Sequence, residues 1–172
     1  VLDEDIIGYK PERLFLCYNR NSHSHRVYMG TKMYQEGLIS KGLVSYHNFV
    51  SDEQRKMRRE ELTDHFDDDI IDSFFSTLPL RINEIDGYSS DINFNIGQEL
   101  FPQDYLHTFV SLVTETTSFS DAIYCSEKTF KPIAMGHPFF IYGSQGTLTE
   151  LKKMGYQTFD KWWNEEYDEQ DN

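Results

Sequence analysis

Four short apolar runs set the limits on how this chain can fold: Arg13–Tyr18 (RLFLCY), Leu43–Phe49 (LVSYHNF), Phe109–Val113 (FVSLV) and Pro138–Tyr142 (PFFIY). Each is too short for a membrane span, which needs about 20 apolar residues. Each is bounded by polar or turn-forming residues, so each reads as a buried strand. The intervening text has helical spacing. After Arg26, the residues Val27, Met33, Tyr34 and Leu38 can share one face, and Gly37 and Gly42 mark the end. Ser51-Asp-Glu-Gln54 is a capping-box pattern before a charged helix reaching about Phe66. Ser126 can cap a helix from Glu127 to about Met135, with Gly136 as its stop and Pro132 as a kink or an early end. A further helix over Thr147–Met154 is stopped by Gly155, and Tyr156–Phe159 reads as a last short strand.

Strands alternating with helices, each strand wholly apolar, predict an α/β fold with a mainly parallel sheet and flanking helices. Residues 67–90 are acidic with apolar patches, and Pro79, Asn83 and Gly87 argue against a long regular element there, so the region reads as an excursion. Asp91–Glu99 shows weak alternation, and Pro102 can start a short helix over Phe101–Leu106. The organisation is then an N-terminal extension (1–12), a Rossmann-like α/β domain (13–160) and an acidic tail (161–172). The opening at Val1 without a Met is read as that of a fragment or processed piece.

The chain of 172 residues is long enough for one real core; a domain of about 150 residues buries roughly 70% of its unfolded surface. Net charge is −13, with acidic runs at Asp3–Asp5, Asp64–Asp72 and Glu165–Asp171 that read as solvated surface. Such a chain does not recruit nucleic acid or anionic lipid by bulk electrostatics, so neither is expected as a partner. Any phosphate ligand must be held by a local site working against the global field. Only Cys17 and Cys125 are present, which is no disulfide framework; a reducing, cytoplasmic setting is expected, with no membrane span.

In parallel sheets ligands bind beyond the carboxyl ends of the strands. Two polar loops follow strands and should emerge on that edge. The first, Asn19-Arg20…His23, His25-Arg26, is cationic in an acidic chain. Arginine disfavours a helix N-terminus, so Arg26 there calls for an anionic partner: a phosphate, or one of the many surface carboxylates. Arg20 and Asn19 are further candidates. His23 and His25 are two apart with no Cys or third His nearby, so no metal site is expected. The second loop carries Glu115, either an acceptor for sugar hydroxyls or a loop cap and ion-pair partner of Arg26 or Lys128. It leads into Ser126-Glu127-Lys128, where a helix N-terminus and a lysine suit a diphosphate and the neighbouring carboxylate suits a ribose; an ordinary capped helix explains the same residues. Lys131 reads as solvated, His107 and His137 as structural. No GxGxxG, GxxxxGK[ST] or GxSxG occurs.

Taken in order, FLCYNRNSHSHRVYMG and FVSLVTETTSFSDAIYCSEKTFKPIAMGHPFFIYG resemble the donor-binding C-terminal half of the α-1,3-fucosyltransferase family, over about residues 13–145. The phrases "NR…HR…GLVS" and "EKTFKPI" are also similar to glycosyltransferase-like proteins of large phages and viruses. The resemblance implies one Rossmann-like half of a two-domain (GT-B-type) inverting glycosyltransferase, acting on a nucleoside-diphosphate sugar such as GDP-fucose and a glycan or other hydroxyl acceptor, without metal or cofactor, in the cytoplasm or that of a virus-infected host cell. It implies that Arg26 and Lys128 bind the diphosphate, that Glu127 holds the ribose, that Glu115 lies near the donor sugar, and that Ser126 opens the binding helix. It also implies a catalytic base in a further N-terminal domain. Thr116, Cys125-Ser126, Lys131 and Pro132 depart from the family's pattern. The alternative is a non-catalytic module of the same fold, used for assembly or carbohydrate binding.

Overall fold

The computed structural model describes residues 10–82, 100–118 and 122–170. Its centre is a four-stranded sheet of order β2-β1-β3-β4, with β1 at Arg13–Asn19, β2 at Leu43–Tyr46, β3 at Thr108–Thr114 and β4 at Phe139–Tyr142. Every pairing is parallel: Cys17 lies opposite Val44, Phe15 opposite Val110, and Val113 opposite Ile141. This is the expected α/β, Rossmann-like arrangement. The second strand is shorter than its apolar run implies: it stops at Tyr46, which lies opposite Asn19 of β1 and also exchanges backbone hydrogen bonds with Leu80.

Alternation along each strand separates two cores. Phe15, Cys17, Val44 and Tyr46 face α1 (Ser24–Gln35) and α3 (Asp68–Ser76), packing with Val27, Met33, Ile71, Phe74 and Phe75. On the other face Val113, Phe139 and Ile141 pack with Leu148 and Leu151 of α6 (Thr147–Lys153). Helix α1 approaches the first core closely because Gly30 has no side chain: a Cβ there would lie 2.5 Å from Phe74 Cζ and 2.9 Å from Tyr46 Cζ. Helix α2 (Asp52–Leu62) starts as its capping box requires, with Gln54 N donating to Ser51 Oγ at 3.2 Å.

Three expectations are corrected. The excursion at 67–90 contains α3, whose Ile71, Phe74 and Phe75 are among the most buried residues of the first core; the strand reading of Asp91–Glu99 lies outside the described residues. Tyr156–Phe159 is no strand. Gly155, at φ 91°, ends α6, Tyr156 N turns back to Leu151 O, and the Glu165 carboxylate takes Phe159 N and Thr158 Oγ1, so these groups have no need of a neighbouring strand. The acidic tail is not merely solvated. Helix α6 begins at Gly146, which cannot cap it, and the buried Asp168 carboxylate does so, accepting from Leu148 N at 2.8 Å and Thr149 N at 3.1 Å. Trp163 stacks on Phe140 and Phe159.

Candidate functional site

In the order 2-1-3-4 the chain leaves β1 toward one side and β3 toward the other, so the carboxyl ends of β1 and β3 diverge into a crevice. A cleft of about 460 Å³ lies there. It runs from Asn19 and Thr114 at the strand ends back over the sheet to Leu16 and Ser111, between α4 (Pro102–Leu106) and α5 (Glu127–Ala134). At the carboxyl edge its walls carry Arg20, His23, Arg26 and Lys128; deeper in, Tyr18, Phe101 and Tyr105 make it aromatic. Among the described residues, four cationic side chains (Arg20, Arg26, Lys128, Lys131) line it against one carboxylate, Glu127. The two loops singled out in the sequence therefore meet, and they meet as a cationic patch in a chain of net charge −13.

The predicted residues divide sharply by what their polar atoms already do. Glu115 is wholly buried. Its Oε1 accepts from Ser126 N at 2.9 Å and from Thr129 Oγ1, and its Oε2 accepts from Ser126 Oγ at 2.6 Å and Thr116 N at 3.2 Å. Of its two readings this is the cap, with every lone-pair direction taken inside the protein. Ser126 caps α5 as expected: its hydroxyl accepts from Lys128 N at 3.2 Å while donating to Glu115. The helix N-terminus is thereby partly occupied: Glu115 holds the capping residue through Ser126 N and Oγ, Ser126 Oγ takes Lys128 N and Ser126 O takes Thr129 N, so side chains of the cleft carry much of the hold on an anion.

Arg26 is buried at 2% exposure, and α1 begins at Ser24, two residues before it. Its Nη2 donates to Thr114 O at 3.1 Å and Glu115 O at 3.0 Å, and its buried Nε has no hydrogen-bond partner among the described residues. Burial lowers its pKa and the Glu115 charge opposes that shift. Arg26 thus ties the start of α1 to the end of β3 and adds a fixed positive charge beneath the cleft. Asn19 is likewise internal, donating to Cys17 Sγ at 3.0 Å and accepting from Thr114 Oγ1.

Lys128, Glu127 and Arg20 are the groups a ligand can reach. Lys128 Nζ pairs with Glu127 Oε1 at 2.7 Å, and its side chain is 21% exposed. Partial burial pushes the Glu127 carboxyl up, but the Lys128 hydrogen bond and charge overcome this and hold it below its ordinary value. Arg20 is exposed and has no hydrogen-bond or ion-pair partner among the described residues. Lys131 and His47 were missed in the sequence, as were the aromatic groups Tyr18, Phe101 and Tyr105. Lys131, read as solvated, lines the cleft one turn from Lys128, as i,i+3 spacing on one helix face allows. His47 stands just past β2 on the same carboxyl edge, a position that could have flagged it.

His23 and His25 stack with parallel rings, centroids 5.9 Å apart. His25 is buried, with Nε2 2.7 Å from Glu115 O, and burial pushes its pKa down to about 4. His23 is half-buried, and burial together with the charges of Arg26, Arg58 and Lys128 lowers its pKa. Arg58 of α2 fixes this loop, donating to Ser22 O and Ser24 Oγ at 2.7 Å each. His137 is structural as expected, bonded to Ser111 Oγ and Thr108 O.

Comparison with protein-family models, with curated proteins and with solved structures gives no match. What the fold and cleft define is a class: a parallel, Rossmann-like sheet with a cationic crevice at its topological switch point. No helix among the described residues is long and apolar enough to cross a membrane.

Proposed function

We propose that this protein binds a nucleoside-diphosphate sugar and serves as the donor-binding domain of an inverting glycosyltransferase. One observation carries the reading: the crevice between β1 and β3 is cationic at the carboxyl edge and aromatic deeper in, in an otherwise strongly acidic chain. A diphosphate fits the first part, where Lys128 and Arg20 offer charged donors and Arg26 adds its field. A nucleobase fits the second, between Tyr18, Phe101 and Tyr105. The volume falls in the range of about 300–1,000 Å³ typical of small-molecule sites. In transfer, an acceptor hydroxyl attacks the anomeric carbon and the diphosphate departs, with Lys128 and Arg26 stabilising the charge that develops on it. Glu127, accessible beside Lys128, is placed to accept from ribose hydroxyls. The sequence resemblance favours a GDP-sugar.

Calorimetric titration with GDP, UDP and GDP-fucose tests this. Saturable binding of one nucleotide is expected, weakened about 10- to 100-fold by Lys128→Ala, the worth of a charge-assisted hydrogen bond. Unchanged affinity in the variant would remove Lys128 from the site. A second reading, a non-catalytic module of the same fold, is favoured by the internal use of Glu115 and would show nucleotide binding without turnover, or neither.

A further inference from the structure

The floor of the cleft has a hydrogen-bond polarity that its residue types alone do not reveal. A hydroxyl carries one proton and two lone pairs, so the direction of its proton decides what it can offer a ligand. Two hydroxyls that line the cleft give their protons to the protein. Ser111 Oγ lies 2.9 Å from His137 Nδ1, and His137 Nε2 lies 2.8 Å from Thr108 O. A carbonyl can only accept, so Nε2 carries the imidazole proton. Burial lowers the pKa of this histidine and keeps it neutral at pH 7, which leaves Nδ1 to accept from Ser111. Tyr18 Oη donates to the carboxylate of Asp104, a buried residue of α4. Toward the cleft both oxygens present lone pairs and no proton.

These two groups belong to the deep end. Ser111 of β3 stands opposite Leu16 of β1, and Tyr18 is two residues further along β1 on the same face. Ring contacts from Tyr18 to Tyr105, with centroids 6.5 Å apart, and from Tyr105 to His137, 5.4 Å apart, join them in one packed group. This is the end whose aromatic side chains suit a nucleobase. Hydroxyls that can only accept call for a base edge that donates.

Resting on the donor reading above, we propose that Ser111 and Tyr18 determine which base the cleft takes by accepting from the neighbouring N1–H and N2–H groups of guanine, with His137 and Asp104 as positioning residues that hold the hydroxyl protons away. Guanine presents two adjacent N–H donors on one edge. Uracil presents one N–H between two carbonyl oxygens, and either carbonyl would set lone pairs against lone pairs. Adenine and cytosine each place an acceptor nitrogen beside the amino group, with the same conflict. A site built to bond an N–H group rejects an analogue that lacks it, because the site's own polar atom is then left unpaired.

The test is calorimetric titration of the protein with GDP, with inosine diphosphate, which lacks only the 2-amino group of guanine, and with UDP. GDP should bind tightest, inosine diphosphate about 10-fold more weakly and UDP about 100-fold more weakly, one unmet acceptor accounting for each step. Ser111→Ala and Tyr18→Phe each remove one acceptor with little change of shape, and each should lower the GDP-to-UDP affinity ratio about 10-fold. Loss of packing alone would weaken both nucleotides alike and leave that ratio unmoved. His137→Leu and Asp104→Leu free the hydroxyl protons to turn toward the ligand, so the ratio should fall in them as well. UDP or inosine diphosphate binding as tightly as GDP overturns the base assignment and leaves the donor reading standing, as does a ratio that neither Ser111→Ala nor Tyr18→Phe moves. A protein that binds no nucleotide overturns the donor reading, and this assignment falls with it.

Discussion

Glu115 is the residue around which the site is organised, and it acts by being unavailable. Replacing it with Ala would leave Ser126 N, Ser126 Oγ and Thr129 Oγ1 without their acceptor. Buried unsatisfied groups cost about 1–3 kcal/mol each, so a loss of about 3 kcal/mol or more is expected in denaturant unfolding. Glu115→Gln should cost less, since one oxygen survives. His25 supplies a pH dependence with a definite sign. Its folded pKa, about 4, lies below the ordinary 6.5, so the unfolded chain binds the extra proton first. Stability is full above about pH 6.5, declines as pH falls toward 4, and loses at most about 3 kcal/mol over that window. The Tm measured from pH 7.5 to 4.5 should fall, and His25→Gln should flatten the slope. At this scale the sequence was legible in type and not in role. The Glu-Lys pair, Arg26 and the two histidines all reach one edge. Whether a polar atom faces the cleft or the protein interior depends on partners far along the chain, such as Thr114 and Thr129, that spacing does not disclose.

At the level of elements, the apolar runs located all four strands because each carries a buried apolar stretch into the cores of the sheet. Helix α3 was hidden because Pro79 and the acidic residues around it resemble a loop. Its apolar face, Ile71, Phe74 and Phe75, becomes visible only as a packing surface for α1. The strand assigned to Tyr156–Phe159 failed because Glu165, six or seven residues on, satisfies Phe159 N and Thr158 Oγ1. The close approach of α1 yields a prediction: Gly30→Ala places a methyl inside the contact distance of Phe74 and Tyr46. The overpacking should destabilise by about 1–3 kcal/mol despite alanine's better helix propensity, read as a lower denaturation midpoint. An unchanged or raised midpoint would mean that the aromatic rings yield.

For the whole molecule, the contrast between a net charge of −13 and a cationic cleft has a measurable consequence. The repelling carboxylates are spread over the surface, while Lys128 and Arg20 lie at contact range. Salt screens interactions beyond about 8–10 Å far more than those at contact. Nucleotide affinity should therefore change less than about threefold between 50 and 300 mM NaCl, since lost attraction and lost repulsion partly cancel. A tenfold or steeper loss would show that the distant charges do not matter. The seal over α5 has a consequence of another kind. Glu115 behaves as a tethered ligand, present at the first turn of that helix at an effective concentration no free phosphate can match. The Ser126 cap is therefore formed before any nucleotide arrives, and binding has little ordering left to do there. Amide exchange at Ser126 and Lys128 should be slow in the empty protein and nearly the same when nucleotide is bound, making α5 a fixed wall against which a ligand is measured.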